Sequence, residues 1–154
     1  MLGRLIRATF TTIALSRTLQ SVKMESRYIT KQTKIINIGH LPGHVNGKTD
    51  LLREAGWSNS VGIITLETTK EAIKAELKSS PGALFIVGGA MNKEYPELMA
   101  ELNEFIKSEV PSIIVHNTTK EDFPEGCPLP PTEGIIAASG VTIANRLLRK
   151  EEEL

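Results

Sequence analysis

Cysteine is almost missing from this chain of 154 residues: Cys127 stands alone, so no disulfide can close within it. A single thiol suits a reducing compartment. Aromatic side chains make up 5% of the sequence, which is poor material for stacking a flavin ring. Tyr95 is the one aromatic placed near an expected strand end, and a surface role before Pro96 accounts for it equally simply. Long apolar runs are absent as well. The longest uninterrupted ones are ALFIV at 83–87 and IIAA at 135–138, far short of the roughly 20 residues that span a bilayer.

Past residue 33 positive charge is scarce. The whole chain balances 18 Lys and Arg against 18 Asp and Glu, but the balance is uneven. Arg4, Arg7, Arg17, Lys23, Arg27 and Lys31 face only Glu25 in the first 33 residues. The remainder is net acidic and shows no basic stripe, so nucleic acid is not an expected partner, since phosphates are neutralised by Lys and Arg. The opening MLGRLIRATFTTIALSRTLQSVK is Arg-, Ser- and Thr-rich without an acid. That composition predicts a mitochondrial transit peptide within a leader over 1–33. A start at Met24 would instead leave a cytoplasmic protein.

What the chain does have is alternation. Strands are expected over 34–39 (KIINIG), 61–66 (VGIITL), 83–87 (ALFIV), 112–116 (SIIVH) and 135–138 (IIAA). The stretch 40–49 (HLPGHVNGKT) reads as a loop because of its glycines, proline and asparagine. Helices are expected over LLREAGW, capped by Thr49-Asp50, over TKEAIKAELKSS, over about 94–109, and over 141–150. Four prolines in 17 residues keep TTKEDFPEGCPLPPTEG irregular. Strands separated by helix-length segments pair in parallel. The fold class is therefore α/β, a three-layer sandwich with a five-stranded parallel sheet, flavodoxin-like or Rossmann-like, and the order 2-1-3-4-5 is taken by analogy with flavodoxin-like folds. It occupies 34–150 as one domain, with a frayed tail at 151–154.

Ligands of such sheets sit at the carboxyl ends of the strands. Those ends would carry Gly39, His40, Gly43 and His44 after the first strand, Gly88, Gly89 and Asn92 after the third, and His116, Asn117 and Thr118 after the fourth. Glycines let backbone N–H groups approach a ligand, and helix starts favour anions. Loops need polar residues and turns need glycine in any case, so the cluster predicts a pocket and not a chemistry.

No chemistry is complete. PGHVNGKT ends like a phosphate-binding loop, but proline fills the first glycine position and no later strand ends in a magnesium-holding acid. Gly47, Lys48 and Thr49 remain as a looser anion site. Glycines at 39, 43 and 47 have the wrong spacing for a dinucleotide turn. Strand ends at Ile38-Gly39 and Val87-Gly88 lack the acids of a phosphorylatable receiver. Cys127 lies between prolines, without the helix start or base that forms a thiolate, and is a weak catalytic candidate. His40 and His44 at i, i+4 would share a metal only on a helix, so no metal is expected.

Gly39-His40-Leu41-Pro42-Gly43, followed by LLREAG, a strand, TKEAIKAEL and LFIVGGAMNKEYPELMAELNEF, resembles the cobalamin-binding domain of mutases and methionine synthases, whose motif is D-x-H-x-x-G after the first strand. The resemblance implies a flavodoxin-like fold over roughly 34–150. It makes His40 the counterpart of the lower axial cobalt ligand and Gly43 the motif glycine.

The leading expectation is a small-ligand-binding or interaction module, with a small molecule or protein as partner. Gly39, His40, Gly43, Gly47, Lys48, Thr49, Gly88, Gly89, Asn92, His116 and Asn117 are its binding residues, and no cofactor is named by them. One alternative is a small enzyme using His40 or His116 as general acid or base. Others are a degenerate cobalamin-binding domain and a homodimer that pairs helix faces.

Overall fold

The computed structural model describes residues 28–148. The expected transit peptide at 1–23, the alternative start at Met24 and the tail 151–154 lie outside them. Within the described residues the isoleucine- and valine-rich runs become strands, as β-branched side chains favour a pleated, half-buried surface. They are β1 Ile35–Gly39, β2 Ser60–Ile64, β3 Leu84–Val87 and β4 Ile114–Asn117. Helix α1 Pro42–Glu54 follows β1, and α2 Lys70–Lys78 follows β2. A single turn α3 Met91–Glu94 and then α4 Pro96–Glu109 follow β3, and α5 Glu133–Leu147 follows β4. All neighbours pair in parallel, in the order β2-β1-β3-β4.

Alternate side chains of each strand serve opposite faces. Ile36, Ile38, Phe85 and Val87 pack with Ile73 and Leu77 of α2 and Leu102 and Ile106 of α4. Ile35, Leu84 and Ile86 pack with Leu52 of α1, Trp57, and Ile143 and Ala144 of α5. Both faces of β3 are covered, which is why ALFIV is apolar throughout.

Two expectations are overturned. The sheet has four strands, not five: residues 135–138 lie inside α5, and no fifth strand follows β4 among the described residues. Thr132 caps that helix by accepting from the Ile135 N–H at 3.3 Å. Buried Ala137, Gly140 and Ala144 then repeat at three and four residues, a helical period that a four-residue apolar run cannot reveal. The segment 40–49 is likewise not a loop, because α1 begins at Pro42. Proline at the first helical position loses an N–H that would have no partner there and brings its φ already set. The glycines inside α1 are tolerated because α5 packs against it: a Cβ on Gly47 would stand 3.1 Å from the Ala137 Cβ.

Helix α1 ends where Gly56 takes a positive φ of 103°. The Gly56 and Trp57 N–H groups turn back to Arg53 O at 3.0 Å and Leu52 O at 2.9 Å. The last residues assigned to the leader, 28–33, contribute to the packing. Ile29 is 1% exposed, bridges to Leu148 and joins the α1/α5 core. Lys31 sits 3.3 Å over the Trp57 ring and donates to Ala55 O at 2.7 Å. No described helix is long and apolar enough to cross a membrane.

Candidate functional site

The connection leaving β1 runs over the α1/α5 face, and those entering and leaving β3 run over the α2/α4 face. The carboxyl ends of β1 and β3 are therefore neighbours whose chains depart in opposite directions, the geometry of a topological switch point. Here Gly39 and Gly88 come together. The Gly88 N–H donates to Ile38 O at 2.9 Å, and a Cβ on Gly88 would lie 3.1 Å from that oxygen, a tight fit that glycine relieves. Thr65 closes the neighbouring side by donating to Gly39 O at 2.9 Å and lying 3.4 Å from the Met91 sulfur.

Around this floor stand polar side chains from two loops. The half-buried His40 ring lies 6.2 Å from the Tyr95 ring, tilted by 51°. Asn92 of α3 donates through Nδ2 to Asn117 Oδ1 at the end of β4, at 2.9 Å. Gly39, His40, Gly88, Gly89, Asn92 and Asn117 thus share one edge, with Tyr95 beside them.

The other expected site residues go elsewhere. Gly43 lies in the first turn of α1, where a Cβ would run into the Glu133 carboxylate of α5. A second anion at that helix start would meet a negative charge already in place. Gly47 faces Ala137, and Thr49 is buried, accepting from Asn37 Nδ2 at 2.9 Å and donating to Val45 O at 2.9 Å. Lys48 is 4% exposed on α1. None of the three lines a loop. Cys127 lies in the proline-rich segment, beside a hollow of about 510 Å³ lined by Phe123, Pro124, Gly126 and Leu129 among others.

His116 belongs to a different cluster. It pairs with Ile86 in register and faces α1 and α5, while Asn117 turns to the opposite side. Its Nε2 lies 3.0 Å from Asp122 Oδ2, which also accepts from the Thr119 N–H at 2.9 Å. Asp122 Oδ1 accepts from Arg146 Nη1 of α5 at 2.7 Å. Burial pushes this carboxyl up, but the hydrogen bonds from His116, Thr119 and Arg146 outweigh it and hold Asp122 below the usual carboxylate range. Burial draws the Lys48 ammonium below the ordinary lysine range, and the Asp122 charge offsets part of that.

Sequence reasoning missed Asp122 and Arg146. The spacing Thr119-Lys-Glu-Asp122 is a capping box, and both of its halves are formed around the short turn Lys120–Asp122. That signal was readable. Arg146 meets Asp122 across 24 residues, and no local pattern announces such a contact.

Among the described residues no three His, Cys, Asp or Glu side chains gather to hold a metal. The His40 ring has no hydrogen-bond partner among them. Ile38 stands where the cobalamin-binding motif has its orienting aspartate, and it is buried among the α2/α4 core residues. The residues present therefore do not supply the acid that would hold His40 for cobalt. Comparison with protein-family models, with curated proteins and with solved structures gave no match.

Proposed function

We propose that this domain binds a small polar ligand at the carboxyl edge of its sheet, between the β1 and β3 connections. The observation that carries the reading is the Gly88 N–H bond to Ile38 O at 2.9 Å, which sets Gly88 beside Gly39 at the switch point. Bare backbone forms the floor there, and His40, Tyr95, Asn92 and Asn117 form the rim. Glycine backbone admits close approach, while imidazole and amide groups read donors and acceptors. The order β2-β1-β3-β4 agrees with the first four strands of a flavodoxin-like sheet, and the fold is read as a shortened form of that arrangement. Binding is favoured over catalysis because neither His40 nor His116 has a nucleophile among its contacts: Tyr95 lies beside one and Asp122 beside the other.

The test is a thermal-shift panel of nucleotides, flavins, corrinoids and small carboxylic acids on the full chain. Stabilisation grows as RT ln(1 + [L]/Kd), about 2.7 kcal/mol at a hundredfold excess over Kd. A ligand of this edge stabilises the wild type and loses affinity with His40→Ala and Asn92→Ala. A ligand indifferent to both substitutions would place the site elsewhere.

A further inference from the structure

We propose that the Lys48 ammonium, on the side of α1 that packs against α5, binds a small oxyanion, a carboxylate or a phosphate. The first observation is isolation. Lys48 is 4% exposed, yet no hydrogen bond or ion pair joins it to any described residue. Lysine is almost never this buried unless it is paired. A buried cation without a contacting partner is expensive, and burial of this kind persists where something else completes it.

The second observation is that the nearby carboxylate is already engaged. Among the described residues Asp122 is the charged group that acts on Lys48. Both of its oxygens are taken, one by His116 and the Thr119 N–H, the other by Arg146. Arg146 is paired with Asp122, so among the described residues Lys48 has no carboxylate in contact with it. An anion supplies the missing partner.

The third is a second orphan at the same end of the sheet. Thr118, two residues beyond His116, has its Oγ1 sealed from solvent without a partner among the described residues. The Lys48 amine is not sealed to that degree. A hydroxyl is a donor that an oxyanion accepts from. Opposite Lys48 stands Gly140 of α5, where an added Cβ would lie 3.6 Å from the Lys48 Cβ, in ordinary contact with the lysine stem. Lys48, Asp122 and Gly140 stand apart from the rim around Gly39 and Gly88, whereas Thr118 adjoins it, its N–H donating to Val87 O at 2.9 Å and its carbonyl lying beside Gly89; the Lys48→Met and His40→Ala variants therefore separate the two proposals.

The experiment melts the full chain in sodium phosphate, sodium acetate and sodium chloride at matched ionic strength. The lysine ε-carbon resonances are followed in parallel by NMR. The wild type is expected to melt higher in phosphate or acetate than in chloride, with a saturable shift of the Lys48 resonance. The phosphate and acetate arms tell which oxyanion is preferred. Lys48→Met should melt higher than the wild type in chloride and lose the oxyanion response. Thr118→Val should weaken that response, and His40→Ala should keep it. Equal melting in all three salts with an unmoved Lys48 resonance would overturn the proposal. So would a full response in Lys48→Met, or loss of the response in His40→Ala.

Discussion

His116 Nε2 and Asp122 Oδ2 lie 3.0 Å apart, and that contact ties the end of the sheet to the turn that follows it. Asp122 then passes the link to Arg146 on α5. A single buried carboxylate, 2% exposed, thereby fixes where the proline-rich segment leaves β4. Removing it strands three donors. Asp122→Ala is expected to destabilise the fold by about 2–3 kcal/mol, the lower part of the range for a broken buried pair because the Arg146 side chain is half exposed. Urea melts of the variant and the wild type at pH 7 measure it.

The same residue sets an acid limit. Its folded-state affinity for protons is below the unfolded value of 3.8. The unfolded chain therefore takes up the proton first as pH falls, and folding loses stability through that interval. Above 3.8 the Asp122 contribution is complete, and below the depressed folded value it is gone. Asp122→Asn should flatten this part of the stability curve, as the difference between the two proteins shows when melts are run from pH 7 downward.

Lys48 has the opposite sign of contribution. Its folded-state value is lowered from 10.5, so at neutral pH the fold carries the full cost of the buried charge. As pH rises through the folded value toward 10.5 the folded chain releases its proton first, and stability climbs. Lys48→Met is expected to gain on the order of 1 kcal/mol at pH 7. The gap to the wild type should narrow in alkaline buffer. A variant less stable than the wild type at pH 7 would show that the amine has a partner.

Ile29 and Gly62 test the packing. Ile29→Ala removes a fully buried side chain from the α1/α5 core and should cost about 3 kcal/mol. Gly62→Ala would drive a Cβ into Val45 and Thr49, disturbing the Thr49–Asn37 bond, at a cost of about 2 kcal/mol. Thermal melts of both variants check these values.

The positions of the first four strands and their parallel pairing were legible because short isoleucine and valine runs alternate with helix-length spacers, whereas their order came from analogy with flavodoxin-like sheets. The first half of the helix over 133–147 was not legible, although its continuation from 141 was, because Ile135 to Ala138 is too short a run to show a period and the proline-rich segment before it hid the Thr132 cap. The helix over 42–54 was hidden by its own glycines, whose helical conformation is fixed by contact with α5, a residue set some 90 positions away. His40, Gly88, Gly89, Asn92 and Asn117 were placed together by topology alone. His116 was assigned to the same edge, but strand alternation turned it from Asn117 to the opposite face. Lys48 was singled out for the wrong reason, as the end of a phosphate-like loop, and the structure puts it in the interior of a helix.

The central claim is that the carboxyl edge between β1 and β3 is where this domain binds. The most direct measurement is an amide chemical-shift map of the full chain titrated with pools of nucleotides, flavins, corrinoids and small carboxylic acids. The account predicts that a binding pool moves amides of 39–41, 88–95 and 117–118 and leaves the opposite edge, 34–35, 58–60 and 82–84, in place. A pool that perturbs the opposite edge instead, or a spectrum untouched by every pool, would contradict it.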